Sequence, residues 1–322
     1  MLNEPARKRR IGIVGAGMAG LACAAQLTAQ GHSVQLFDKG RGAGGRMSSR
    51  RIAAPLGEVQ FDHGAQFFTA RDPGFADLVQ DWEHRGLAAR WPAAGVDAWV
   101  GRPAMNAVVK DLASHHDVLF GELVKGLARR GPVWHVLTAT GPHGPFDAVI
   151  VAIPAEQAAP LLALHDLELA AQAMHARSQP CWTVMLALAE PLTGVADTLR
   201  GAGTITWAAR NSGKPGRAGH EAWVVQASAE WSAKHVEAEP ELVLAELTRA
   251  FEQMIAQPLP EIAAAQTHRW RFALSAGTGL GALWNGEIGL GACGDWLLGP
   301  RVECAWLSGR TLAGLVNQAA GQ

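Results

Sequence analysis

Ile11-Gly12-Ile13-Val14-Gly15-Ala16-Gly17-Met18-Ala19-Gly20 is the stretch whose reading decides the fold. A short apolar run predicts a buried strand, the three glycines a tight turn, and the alanine-rich residues through Leu27 a helix that Gly31 ends. Ser33-Val34-Gln35-Leu36-Phe37 alternates as a second strand and stops at Asp38, 18 residues after Gly20. This is a complete strand, helix, strand unit rather than an isolated glycine string. The first glycine permits the turn, the second lets a pyrophosphate approach the backbone, and the third lets helix pack on strand. The helix N-terminus adds amides and positive dipole for the phosphates, and the acid accepts from an adenosine ribose. Gly15, Ala16, Gly17, Met18, Ala19, Gly20 and Asp38 are therefore candidate dinucleotide contacts, with NAD and FAD both open at this point.

Composition narrows the rest. The 322 residues leave material for about two domains. Lys and Arg total 28 against 29 Asp and Glu, so no excess positive field exists for nucleic acid or an anionic membrane. Cys23, Cys181, Cys293 and Cys304 are widely spaced without a CxxC pair, which predicts neither a metal site nor a disulfide framework and fits a cytoplasmic setting. The basic run Arg7 to Arg10 leads into a strand, not an export signal, and no apolar run is long enough to span a membrane. Glycine is abundant, with 37 copies, and tyrosine is absent, so 12 Trp and 9 Phe supply the aromatic surfaces.

Past Asp38, the loop Lys39-Gly40-Arg41-Gly42-Ala43-Gly44-Gly45-Arg46-Met47 ends in a cation. Here the chain resembles the flavin amine-oxidase superfamily, whose acid and Gly-Gly-Arg signature it matches at Asp38, Gly44, Gly45 and Arg46. The resemblance implies non-covalent FAD, with Arg46 toward its pyrophosphate and ribityl chain and with Lys39, Gly45 and Met47 beside it. It implies further contacts at Gly64, Ala65 and Gln66, where backbone runs past the isoalloxazine ring, and at Val124, where a strand over 118–124 meets adenine. Near the far end, Glu287 to Cys293 reads as a strand before Gly294-Asp295, and an amphipathic segment runs from Val302 through Val316. Asp295 is implied to accept from a ribityl hydroxyl, with Val302 and Glu303 opening a helix aimed at the pyrimidine.

The implied fold class is α/β: a two-domain, FAD-binding, Rossmann-like fold of the amine-oxidase type with an inserted α+β substrate domain. Flavin signatures at both ends make the FAD domain discontinuous, over 1–70, 99–155 and 269–322. The substrate domain takes 71–98 and 156–268. Its expected elements are strands at 181–188, 204–208 and 222–228 and a helix from Pro240 to about Ile255. Trp99 to Asn106 resembles the lead-in to a long helix, Phe146 to Pro154 reads as a buried strand, and Arg210 to Gly219 is the clearest exposed loop.

Within the superfamily, several segments together resemble the bacterial renalases: Phe37 to Ser49, Gly64 to Asp72, Trp207 to Asn211 with Lys214-Pro215, His268-Arg269-Trp270, Cys293 to Trp296, and Arg301 to Gly309. That resemblance implies oxidation of the 2- or 6-dihydro isomers of NAD(P)H to NAD(P)+. Hydride passes to flavin N5, dioxygen is reduced to hydrogen peroxide, and the role is metabolite repair. Hydride departure restores an aromatic ring and needs no protein base, so no catalytic side chain is assigned. Gln66, Trp182, Arg210, Asn211 and Trp270 are the candidate pocket residues, by amide contact, ring stacking or anion pairing. His63 and His268 have no partnering signature for a base. Two alternatives stay open: a flavin amine oxidase or desaturase, and a flavin-binding module without turnover. Isomer preference, NAD versus NADP, electron acceptor and oligomeric state are not fixed by the sequence.

Overall fold

The computed structural model describes residues 8–55, 57–217 and 219–318. Two compact units divide the chain: 1–45, 109–178 and 275–322 form the first, and 46–108 with 179–274 the second. These limits differ from the sequence expectation. Residues 46–70, 99–108 and 269–274 fall in the second unit, and 156–178 in the first.

The first unit is built on a six-stranded sheet. Its spatial order is Leu283–Asn285, Leu290–Ala292, Ala148–Val151, Arg10–Val14, Ser33–Asp38 and Asp117–Phe120. All neighbours run parallel except the Leu283–Asn285 edge strand. Central strands of such a sheet are covered on both faces, and Ile11, Ile13, Val149 and Val151 are fully buried as that requires. The helices Met18–Ala29 and Val302–Gln318 pack together through Gly309, where a Cβ would overlap the Ala19 carbonyl. A three-stranded antiparallel sheet, Gly126–Arg130, Val133–Leu137 and Pro142–Phe146, adds Trp134 and Phe146 to the core.

The second unit has a five-stranded sheet in the order Thr198–Arg200, Ile205–Arg210, Glu221–Ala227, Ser178–Leu188 and Ile262–Ser275. Its amphipathic helix Pro240–Ile255 begins and ends where the sequence predicts, burying Val243, Leu247 and Phe251. Two antiparallel hairpins complete it, Ser49–Ala54 with Gly57–Asp62 and Ala88–Arg90 with Trp99–Gly101.

Several elements are shorter than expected, for local reasons. The strand predicted over 118–124 spans Asp117–Phe120, because Gly121 turns with φ +77°. The one expected from Glu287 to Cys293 is Leu290–Ala292: Gly289 adopts φ +69°, and the Asn285 side chain accepts from the Glu287 and Ile288 amides, closing a turn. The long helix after Asn106 is Ala107–Ser114. The run 146–154 holds the strand Ala148–Val151, Phe146 closing the preceding one. Arg210 to Gly219 is not an exposed loop, since Asn211 and Lys214 are both buried; Ala218 lies outside the described residues, as does Arg7. No described helix is long and apolar enough to cross a membrane. Among the described residues, no His, Cys, Asp or Glu group could hold a metal ion.

Candidate functional site

In the first unit the three glycines of the turn have different surroundings. Gly15 has φ +104° and no room for a Cβ beside the Ala152 carbonyl, while a Cβ on Gly20 would overlap the Gly15 carbonyl. Gly17 is different. A Cβ there would meet nothing within 4 Å, and Gly17 caps the helix Met18–Ala29 without a side-chain hydrogen bond. Open space over uncapped helix amides is what a pyrophosphate requires. Ala16, Met18 and Ala19 are buried behind the turn. These residues fit the phosphates of a dinucleotide.

Asp38 does work that the sequence reading did not assign. Its Oδ2 accepts from the Ala16 amide at 2.8 Å and its Oδ1 from the Gly40 amide at 2.7 Å, so the carboxylate fastens both glycine loops. Only its remaining lone pairs are left for a ribose hydroxyl. Lys39 Nζ reaches Gln157 Oε1 at 3.4 Å on the surface, and Val124 packs against the unit's core. Asp295 opens a single 3₁₀ turn, is buried, and follows Gly294, whose amide donates to Ser308 Oγ at 2.9 Å. Val302 and Glu303 begin the last helix, with Glu303 buried and 3.8 Å from Arg301. Gly45 closes this unit in a left-handed conformation, φ +51°.

In the second unit the structure brings two separate sequence signals together. The Arg46 carbonyl accepts from the Ala65 amide at 2.9 Å, and a Cβ on Gly64 would overlap that same carbonyl. Only glycine permits so close an approach. Arg46 also donates to the Ala273 carbonyl at 3.3 Å, and Met47 is buried. Trp270 covers this spot, donating from Nε1 to the His63 carbonyl at 2.9 Å and stacking on the His63 ring.

Beneath Gly64 lies a buried ionic cluster that the sequence reading missed. Asp62 has no exposed side-chain surface. Its Oδ1 accepts from the Met105 amide at 2.9 Å and Ser49 Oγ at 2.7 Å, and its Oδ2 from Lys214 Nζ at 3.3 Å and from the Arg217 guanidinium. Burial alone would raise the Asp62 carboxyl. Lys214, Arg217 and the Met105 amide outweigh it and hold the group well below the usual carboxylate range. Burial pushes the Lys214 ammonium down to about 8, against the opposing pull of Asp62. The signal was present as an acid before His63-Gly64 and as cations flanking Pro215-Gly216, but neither segment names its partner 152 positions away.

The five expected pocket residues separate. Gln66 and Asn211 join this cluster: Lys214 donates to Gln66 Oε1 at 3.0 Å, and Asn211 Oδ1 accepts from the Asp62 amide at 3.2 Å. Trp270 stands over Gly64. Trp182 instead belongs to the sheet core, its Nε1 donating to the His235 carbonyl at 2.8 Å. Arg210 is held by Asp197 at 3.1 Å, Glu221 at 3.5 Å and the carbonyls of Leu192 and Val195. His63 and His268 pack edge to face, and burial lowers them to about 3 and about 4, helped by Arg50 and, for His63, by His268. A recess of about 60 Å³ beside Asn211, Arg217 and His220 has room for water, not for a nicotinamide ring.

Residues 13–82 match the family model described as NAD(P)-binding Rossmann-like domain, and residues 93–282 that of flavin containing amine oxidoreductase. A zeta-carotene-forming phytoene desaturase of Myxococcus xanthus is 52% identical over 51 residues, 16% of this chain and 10% of that protein. A 4,4'-diapophytoene desaturase of Staphylococcus haemolyticus is 58% identical over 38 residues, 12% of this chain and 8% of that protein. The chain thus matches about a tenth of the length of these curated relatives. Among solved structures, a protoporphyrinogen oxidase candidate of Exiguobacterium sp. 255-15 superposes with TM-score 0.76 at 13% identity, covering 97% of this chain and 99% of that one. A fatty acid isomerase of P. acnes reaches 0.68 at 11% identity, covering 95% and 98%. At such identities the likeness is one of fold.

Proposed function

The chain belongs to the family of flavin containing amine oxidoreductases and uses FAD, and from that premise we propose that it oxidises the 2- or 6-dihydro isomers of NAD(P)H to NAD(P)+. When bound, FAD supplies a hydride acceptor that dioxygen reoxidises. The balance is one dihydronicotinamide, one dioxygen and one proton giving one NAD(P)+ and one hydrogen peroxide. Gly17 and the amides after it would hold the cofactor's pyrophosphate; within the second unit, taken by itself, Arg46, Gly64 and Ala65 are the candidate cofactor contacts. The work left to this chain is to orient a dihydronicotinamide and to exclude water.

The observation that carries this reading is that the titratable side chains described around Gly64 are either held by partners inside the protein or are weak bases. Asp62 is fully ion-paired, Lys214 and Gln66 are committed to each other, and His63 and His268 are weak bases at about 3 and about 4. A substrate whose oxidation itself restores aromaticity suits such a site. The absence of tyrosine removes the usual phenol of an amine-orienting aromatic cage. The short identities with carotenoid desaturases favour, as a second reading, removal of hydrogen from an apolar substrate.

Aerobic turnover tests this directly. The purified yellow protein is given 2-, 4- and 6-dihydro-NAD(P), a primary amine panel and an apolar polyene, and NAD(P)+ and peroxide are quantified. Equal yields of NAD(P)+ and peroxide from a 2- or 6-isomer support the proposal. Turnover of amine or polyene alone refutes it.

A further inference from the structure

Gln66 links the buried Lys214 ammonium to the Gly64 carbonyl through a single side chain, and its partners fix which way its amide faces. An ammonium has donors and no acceptor, so the carboxamide oxygen of Gln66 must face Lys214 Nζ, at 3.0 Å. The amide nitrogen is thereby turned the other way. Its two hydrogens go to the carbonyls of Asp62 and of Gly64, the latter at 3.0 Å. The Gly64 carbonyl takes a second bond from Gln226 Nε2 at 2.9 Å, and the next amide, on Ala65, is held by the Arg46 carbonyl. No side-chain N–H of Gln66 remains for a ligand.

We propose that Lys214 is a positioning residue that fixes the Gly64–Ala65 backbone through Gln66. This deepens the reading of Gly64 and Ala65 as cofactor contacts and rests on it. The groups facing Lys214 are Asp62, Arg217, Gln66 and the Trp91 ring, whose centre lies 5.3 Å from Nζ. A charge so enclosed is costly to keep, and an apolar side chain of the same length would fill the space more cheaply. What the apolar side chain lacks is the means to orient the Gln66 amide. Loss of the Lys214 proton weakens the donor and frees the amide to rotate, which is where burial has moved the ammonium, to about 8.

The test uses the full FAD-loaded chain and no substrate. Lys214→Met, Gln66→Leu, their double variant and Gly64→Ala are compared with the parent by the flavin visible spectrum across alkaline pH and by the FAD dissociation constant. The parent spectrum should inflect near pH 8, and Lys214→Met should lose that inflection. FAD should bind about tenfold more weakly in each single variant and no more weakly in the double, since both cut one tether. A double variant about a hundredfold weaker would show independent effects and overturn the tether. So would a flavin unchanged in Lys214→Met while Gly64→Ala perturbs it. If Gly64→Ala leaves the flavin unchanged too, the reading of this segment as a cofactor contact falls with it. Should Lys214→Met fail to fold, Gln66→Leu alone carries the test: its flavin loses the inflection near pH 8 if the tether holds and keeps it if the tether is wrong.

Discussion

Lys214 Nζ lies 3.3 Å from Asp62 Oδ2, and neither side chain exposes any surface to solvent. Around this pair the second unit joins the Ser49 strand, the Met105 amide and the 211–217 segment. Buried pairs contribute little net stability when intact but are expensive to break, because the surviving charge has no partner. Asp62→Ala, which strands both Lys214 and Arg217, should therefore cost about 3–5 kcal/mol by urea denaturation. Asp62→Asn retains acceptors for Met105 and Ser49 and should cost less.

Acid should expose the same pair. The carboxyl of Asp62 is held below its unfolded value of 3.8, so its contribution is complete above that pH and is lost as pH falls through the folded value. The stability difference between the parent and Asp62→Asn should be constant from neutrality down to about pH 4 and shrink below it. Urea titrations at successive pH values measure this.

His63 and His268 act in a higher window. Both are lowered from 6.5, to about 3 and about 4, so the unfolded chain binds protons that the folded chain refuses. Stability should fall as pH drops below 6.5. His63→Phe and His268→Phe should each flatten that decline between pH 6.5 and 4. A slope unchanged by either substitution would show that the rings are not the source.

The fold was legible where local chemistry suffices. The turn from Gly15 to Gly20, the strand ending at Asp38 and the helix Pro240–Ile255 announce themselves through glycine spacing and apolar periodicity. Strand ends were less legible, since Gly121 and Gly289 bend the chain inside apolar runs. Trp182 and Arg210 were ambiguous for another reason: a ring on a strand and a cation before a loop read the same whether they serve a ligand or the core. Lys214 misled most. Its neighbours are glycines, Pro215 and Arg217, the composition of a solvated loop, and only the distant Asp62 makes burial tolerable.

Glycine substitutions should separate packing from ligand approach. Gly20→Ala places a methyl against the Gly15 carbonyl and should destabilise by about 1–3 kcal/mol. Gly17→Ala meets nothing in the protein and has extended backbone, so stability should change by no more than about 0.5 kcal/mol. FAD affinity should nevertheless fall at least about tenfold, because the methyl enters the phosphate path. Equilibrium dialysis with thermal denaturation distinguishes the two.

Trp182 and Arg210 should behave as structural residues. Trp182→Ala removes a core ring and should cost about 3–5 kcal/mol. Arg210→Met should weaken folding while leaving substrate KM within about twofold. A tenfold rise in KM without loss of stability would return Arg210 to the pocket.

Anaerobic stopped-flow mixing of the FAD-loaded protein with single equivalents of 2-, 4- and 6-dihydro-NAD, a primary amine and an apolar polyene tests the central claim most directly, because it reads flavin reduction before oxygen intervenes. Rapid bleaching by a 2- or 6-isomer, with stoichiometric NAD+ and peroxide on admitting air, is the expected result. Bleaching by the amine or the polyene, with the isomers inert, would contradict it.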